Sequence, residues 1–142
     1  MITSTWIALH DLCVIWMTAV IWMVQIFLYP DFQEVPENGF VAHHRRHCQR
    51  IAVLVAPLFI QAIAAGAVLS NGAPSFEWVF QGLSISLILL STATLFAPLH
   101  RRLEAGKDPV LIRRLIRWNW GRTLLWTFQL GGIIARTGLK ST

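Results

Sequence analysis

Four long apolar runs, at residues 6–28, 51–70, 78–97 and 118–135, alternate along this chain with short polar segments. Each is close to the roughly 20 residues an α-helix needs to cross a hydrocarbon layer. Inside every run the polar side chains return in steps of three and four, the period of one helix face. The first run aligns Asp11, Ile15, Thr18, Trp22, Gln25 and Tyr29, with His10 one position off that line. The second, which begins as the histidine- and arginine-rich segment from Phe40, aligns His43, His47, Arg50, Leu54, Pro57 and Gln61. The third aligns Gln81, Ser84, Ile88, Ser91, Leu95 and Pro98, and the fourth Leu115, Asn119, Arg122, Trp126 and Gln129. The remaining faces are Leu, Ile, Val, Ala and Phe. In lipid, polar stripes turn inwards and greasy faces outwards. The pattern predicts an all-α membrane protein, a single domain of four transmembrane helices. Short connections favour antiparallel neighbours, an up-down-up-down bundle.

Local signals divide the runs. Tyr29-Pro30 ends the first span, and the acidic stretch Asp31–Gly39 reads as a loop with turns. Pro57 removes a backbone hydrogen bond and bends the second helix, so Gln61 or a residue of another helix must satisfy the freed carbonyl. Asn71-Gly72 reads as a stop, with Pro74 and Ser75 as the entry to the third helix. Residues 99–106 look like two amphipathic turns closed by Gly106. Asp108-Pro109 then supplies an N-cap and a proline at the first helical position.

Composition agrees. A mean hydropathy of +0.55 with only 13% charged residues is too apolar for a soluble domain of 142 residues. The formal charge of +5 would fit a nucleic-acid binder, but its placement argues otherwise. Apart from Arg136 and Lys140, every Lys and Arg lies at the first and third connections or their flanks. By the positive-inside rule that side is cytoplasmic, which puts both termini in the periplasm of a bacterial inner-membrane protein. Nucleic acid is therefore not expected as a partner, and membrane lipids are. Trp6 and Trp78 fit an outer aromatic belt, Trp118 and Trp120 an inner one. The first run lacks a basic leader and is too long for a cleaved signal, so it reads as a retained helix. Cys13 and Cys48 fall on the order of 20 Å apart along the helices, beyond disulfide reach.

Near the cytoplasmic end, the stripes gather Gln25, Tyr29, His43, His47, Arg50, His100, Asn119, Trp120 and Arg122. His43 and His47 stand at i and i+4, and His100 ends the third helix on the same side. Three imidazoles with an open position suit zinc or copper, and haem or quinone are the other cofactor classes such a cluster admits. Against a cation stand the neighbouring arginines. Arg50 and Arg122 suit an anionic headgroup, a phosphate or a quinone oxygen. Gln61 and Gln129 near the middle must pair with each other, with Thr18 or with the carbonyl freed by Pro57. His44 points off the stripe and is expected in solvent. Towards the outside, Asp11 and Arg136 are candidate partners. No nucleophile elbow, paired carboxylates or Gly-rich phosphate loop is present.

Several of these residues recur as a pattern: Gln25 with Tyr29-Pro30, then Phe40, His43, His47 and Arg50-Ile51. Pro57, Pro98 with His100 and Leu103, and Gly106 with Asp108 continue it, and Asn119-Trp120, Arg122-Thr123 and Trp126 close it. In this the chain resembles a family of small uncharacterised bacterial four-helix integral membrane proteins. The resemblance implies the fold and supplies no reaction, cofactor or partner. It leads one to expect a carboxylate where Gln61 stands, which argues against proton handling. The function read from the residues is non-enzymatic: a binding or accessory protein holding a lipid or amphipathic cofactor at the cytoplasmic end. Other membrane subunits or a second copy of the chain are its expected partners. The rival reading is a redox, metal or haem protein using His43, His47 and His100.

Overall fold

The computed structural model describes residues 2–71 and 75–138, so Gly72, Pro74 and Lys140, singled out above, lie outside the described residues. Those described form four long helices, α1 (Thr3–Glu34), α2 (Glu37–Ser70), α3 (Phe76–Leu103) and α4 (Pro109–Gly138). The first three are long and apolar enough to cross a membrane. Among the described residues α4 does not reach that measure, because Asn119, Arg122 and Gln129 on its inward stripe lower its mean hydropathy. α1 packs on α2 and α4, α2 on α3, and α3 on α4.

The acidic stretch after Pro30 is not a loop. Pro at the first helical position is compatible with continued helix, and α1 runs on to Glu34 before Val35 and Pro36 turn extended. What precedes each early proline is a wide turn. At Val24–Leu28 and again at Thr92–Phe96 the helix is π-type, with Tyr29 N–H bonded to the Val24 carbonyl and Ala97 N–H to that of Thr92. A proline has no N–H to give, and the wider turn re-pairs the backbone around it while inserting a residue in the helix period. Leu95 consequently faces outwards, and Phe96, Leu99 and Leu103 take up the buried line on α3. At Pro57 the break is sharper. Leu58 N–H bonds to Val55 and Phe59 N–H to Ala56, and the Trp16 indole of α1, not Gln61, donates to the freed Leu54 carbonyl at 2.8 Å.

Buried apolar side chains from all four helices, including Met17, Ile21, Phe32, Phe40, Ile88, Ile112, Leu115 and Trp126, form the core. Large apolar side chains cover the outside, with Phe27, Phe59, Ile63, Leu83, Phe128 and Ile134 each more than half exposed. That inversion suits a lipid solvent. Gly82 lets α3 close on α2, where a Cβ would stand 3.0 Å from the Leu69 side chain.

Polar residues cross-link the interior in layers. Arg136 binds both Asp11 carboxylate oxygens at 2.7 Å and pairs with Glu77 at 2.9 Å. Gln61 donates to Gln129 at 2.7 Å and contacts His10 at 3.3 Å, while Gln81 reaches the Gln129 carbonyl. Thr18 bonds the Trp126 carbonyl, and Asn119 donates to Gln25 at 2.9 Å. Partners on α4 rise in number as those on α1 fall, so these two helices run antiparallel. At the far end Lys107 caps α1 by donating to the carbonyls of Gln33 and Val35 at 2.7 and 2.8 Å. Asp108 Oδ1 caps α4 through the N–H groups of Val110 and Leu111.

The Gln61–Gln129 contact joins α2 to α4 across the fully buried centre. A double-mutant cycle of Gln61→Leu and Gln129→Leu, read by unfolding in detergent, should return a coupling of about 0.5–2 kcal/mol. Additive effects would show that the pair does not bond.

Candidate functional site

The π turns and prolines of α1 and α3 lie towards the same end of the bundle, where α1 gives way to α2. They bring Tyr29 and His100 together, the hydroxyl 3.2 Å from His100 Nε2. The other nitrogen of the ring, Nδ1, lies 2.9 Å from His44 Nε2. Cys48, one turn along α2, places its sulfur 3.7 Å from both of those nitrogens. His44 is therefore not solvated: it is fully buried, stacked between Phe40 and His100.

The inward face of α2 runs through Phe40, His44, Cys48, Ile51, Val55, Leu58 and Gln61, one residue along from the line through His43, His47 and Arg50. One residue is about 100° of rotation, enough to exchange the two sides. The expected imidazole trio of His43, His47 and His100 is accordingly not what converges. Among the described residues His44, Cys48 and His100 are the group with donor atoms within 4.8 Å of one another. The bias towards arginine misled: Arg45, Arg46 and Arg50 are exposed and belong to the rim. His43, His47 and Arg50 instead line a second groove, with Met23, Leu28 and Leu54. His47 sits at the border, its ring edge-on to Phe32 and its Nε2 buried without a partner.

The remaining candidates separate in the same way. Gln25 and Asn119 bond to each other and are buried, and Gln25 also donates to the Ile116 carbonyl. They hold α1 to α4 behind the site. Trp120 is 43% exposed and stacks edge-on against Trp22, a surface contact. Arg122 does join Tyr29 and His100, with its guanidinium carbon 4.4 Å above the Phe96 ring.

A cavity of about 400 Å³ opens at this cluster. Tyr29, Cys48, His100 and Arg122 form its polar end, Arg101 and Glu104 its outer lip. The rest of the wall is apolar, with Met17, Val20, Ile21, Val24, Ile51, Val55 and Phe96, apart from Thr92, whose hydroxyl donates to the Ile88 carbonyl at 2.7 Å. A hydroxyl, two ring nitrogens, a thiol and a guanidinium thus meet at the head of a greasy channel. His44 and His100 are hydrogen-bonded to one another, which leaves no gap for a macrocycle between them.

No family model, curated protein or solved structure matches the chain.

Tyr29→Phe removes the hydroxyl that holds His100 Nε2. The variant should lose about 1 kcal/mol of stability, and nitrogen NMR of the imidazoles should show His100 shifting its tautomer balance. An unchanged His100 spectrum would mean that the hydroxyl does not orient the ring.

Proposed function

We propose that the protein binds a lipid or amphipathic cofactor in the cavity between its helices, with the ligand's oxygen-bearing head against Arg122, Tyr29 and His100. The single observation that carries this reading is the cavity's division into an apolar wall and one polar end. A molecule that is greasy along its length and polar at one tip, a phospholipid or a quinone, fits such a division. Arg122 gives the head a charge-assisted partner in an environment of low dielectric. Its Nε is buried without a hydrogen-bond partner, a donor that a ligand oxygen would satisfy.

The same reading makes all four helices membrane-spanning in an up-down-up-down bundle, with both termini periplasmic and the cavity at the cytoplasmic end of an inner-membrane protein. Internal pairing of Asn119 and Gln129, with Arg122 turned to the ligand, is what allows α4 to sit in lipid despite its polarity. The basic residues at the α1–α2 and α3–α4 ends support the orientation. The exposed apolar faces would contact membrane lipids, a second copy or a larger complex.

Protein purified in detergent and washed free of bulk lipid should release one amphipathic species on denaturation, identified by mass spectrometry. Arg122→Gln should lower its occupancy about tenfold or more, the loss expected for a hydrogen bond to a charged group. Equal retention in wild type and variant overturns the reading. For orientation, Asn38→Cys and Ser75→Cys should react with an impermeant maleimide from opposite sides of the membrane. Labelling of both from one side overturns the proposed topology.

A further inference from the structure

We infer that His44, Cys48 and His100 form a binding site for a thiophilic metal ion, a three-coordinate Cu(I) centre. The donors are His44 Nε2, Cys48 Sγ and His100 Nδ1, from α2 and α3. Around one ion, sulfur at about 2.3 Å and nitrogen at about 2.0 Å lie roughly 3.5–3.8 Å apart. Both sulfur–nitrogen separations here are 3.7 Å. The two nitrogens, at 2.9 Å, must open by roughly half an ångström from their mutual hydrogen bond to reach tetrahedral or trigonal spacing. The His44 ring must also turn, because Cys48 Sγ lies 3.9 Å from its Nδ1 as well as 3.7 Å from Nε2 and so stands beside the ring and not ahead of the Nε2 lone pair.

Tyr29 supplies the outer support that such sites use. A His100 tautomer protonated at Nε2 donates to the Tyr29 oxygen and leaves the Nδ1 lone pair facing His44 and Cys48. His44 coordinates through Nε2 with its proton on Nδ1. Binding then releases one proton, from the Cys48 thiol, as the sulfur–metal bond forms. The spacing of His44 and Cys48 at i and i+4 on one helix puts their donors on one face, and the π turn before Pro98 swings His100 against them.

Charge decides between ions. One thiolate neutralises a monovalent cation, so Cu(I) with two neutral imidazoles gives a site of no net charge. A divalent zinc ion would leave an uncompensated positive charge beside the Arg122 guanidinium, which shares the cavity's polar end. Zinc also prefers a fourth ligand, whereas soft thiolate with imidazole at a three-ligand site suits copper. The arginines of the α2 rim do not oppose it: Arg45, Arg46 and Arg50 are exposed on other faces. The three donors are all protein atoms, so the ion takes no ligand from the cavity's occupant, although Cys48 and His100 line both sites.

The test uses full-length protein purified in detergent, reduced and kept free of oxygen, and titrated with Cu(I) against a coloured chelator of known affinity. One copper per chain is expected, with an X-ray absorption first shell of one sulfur and two nitrogens. Cys48→Ser and His100→Gln should each weaken binding at least about 100-fold, and Tyr29→Phe about 10–100-fold as an outer-shell loss. Cys13→Ser, at the buried cysteine elsewhere in α1, and His43→Gln should bind as wild type. Gel filtration and circular dichroism establish that each variant is folded, and the absorption spectrum of wild type decides the ligand set without any variant. Copper retained in folded Cys48→Ser, a first shell without sulfur, or zinc held in preference to copper would each overturn the assignment. Release of the same lipid or quinone from copper-loaded and metal-free protein would keep the cavity reading independent of this result.

Discussion

A polar group surrounded by hydrocarbon has no water to fall back on, so it must find a partner within the protein or be left at a cost of several kcal/mol. That requirement organises this bundle. Between its ends the chain buries His10, Thr18, Gln25, His44, Gln61, Gln81, Ser84, Asn119, Thr123 and Gln129. Most of the long ones reach another helix: Gln61 to α1 and α4, Gln81 to α4, Gln25 and Asn119 to each other. Apolar packing alone would let the four helices slide or rotate at little cost, because lipid is as apolar as leucine. The polar layers give each pair of helices a single register. They are the reason Tyr29, His44, Cys48 and His100 can meet within hydrogen-bonding range.

The site uses the same materials under a different geometry. Where the central layers pair amide with amide, the end of the bundle gathers groups that can bond to something other than protein. Tyr29 and His100 each follow a π turn and stand within two residues of a proline. Such turns re-aim side chains without ending the helix, and they recur where function requires an irregular backbone. The arrangement is held from outside by Lys107, which ties the α3–α4 connection to the end of α1. It is held from behind by the Gln25–Asn119 pair.

Periodicity made much of this legible. On α4 the line through Leu115, Asn119, Trp126 and Gln129 is buried as its spacing implies, and the Asp11–Arg136 and Gln61–Gln129 partners are those their depths suggest. The Asp108 cap forms as well. On α2 the polar stripe misread the inward face by one residue. Near a membrane surface, arginine on a helix face marks the wet side as readily as the core, and Ile51 and Val55 marked the inward line more faithfully than Arg50 did. Cys48 was read only for disulfide reach, although it stands one turn from His44. The π turns carry no pattern of their own; only the nearby prolines hint at them. With them unseen, the rotation that takes Leu95 out and Phe96 in was invisible to an ideal 3.6-residue count.

Those wide turns also bear on how such a chain can change. Each holds one residue more than a regular helix would, on a segment whose hydropathy hardly depends on any single member. Loss of a single codon between Val24 and Leu28, or between Thr92 and Phe96, would restore a regular helix and still leave a span of ample length. Tyr29 or His100 would keep its present direction, because the five residues of a π turn and the four of an α-helix each close on about one full turn. Membrane insertion and the cluster would both tolerate that deletion, so each wide turn is a place where the chain can gain or lose a residue without taking the site apart.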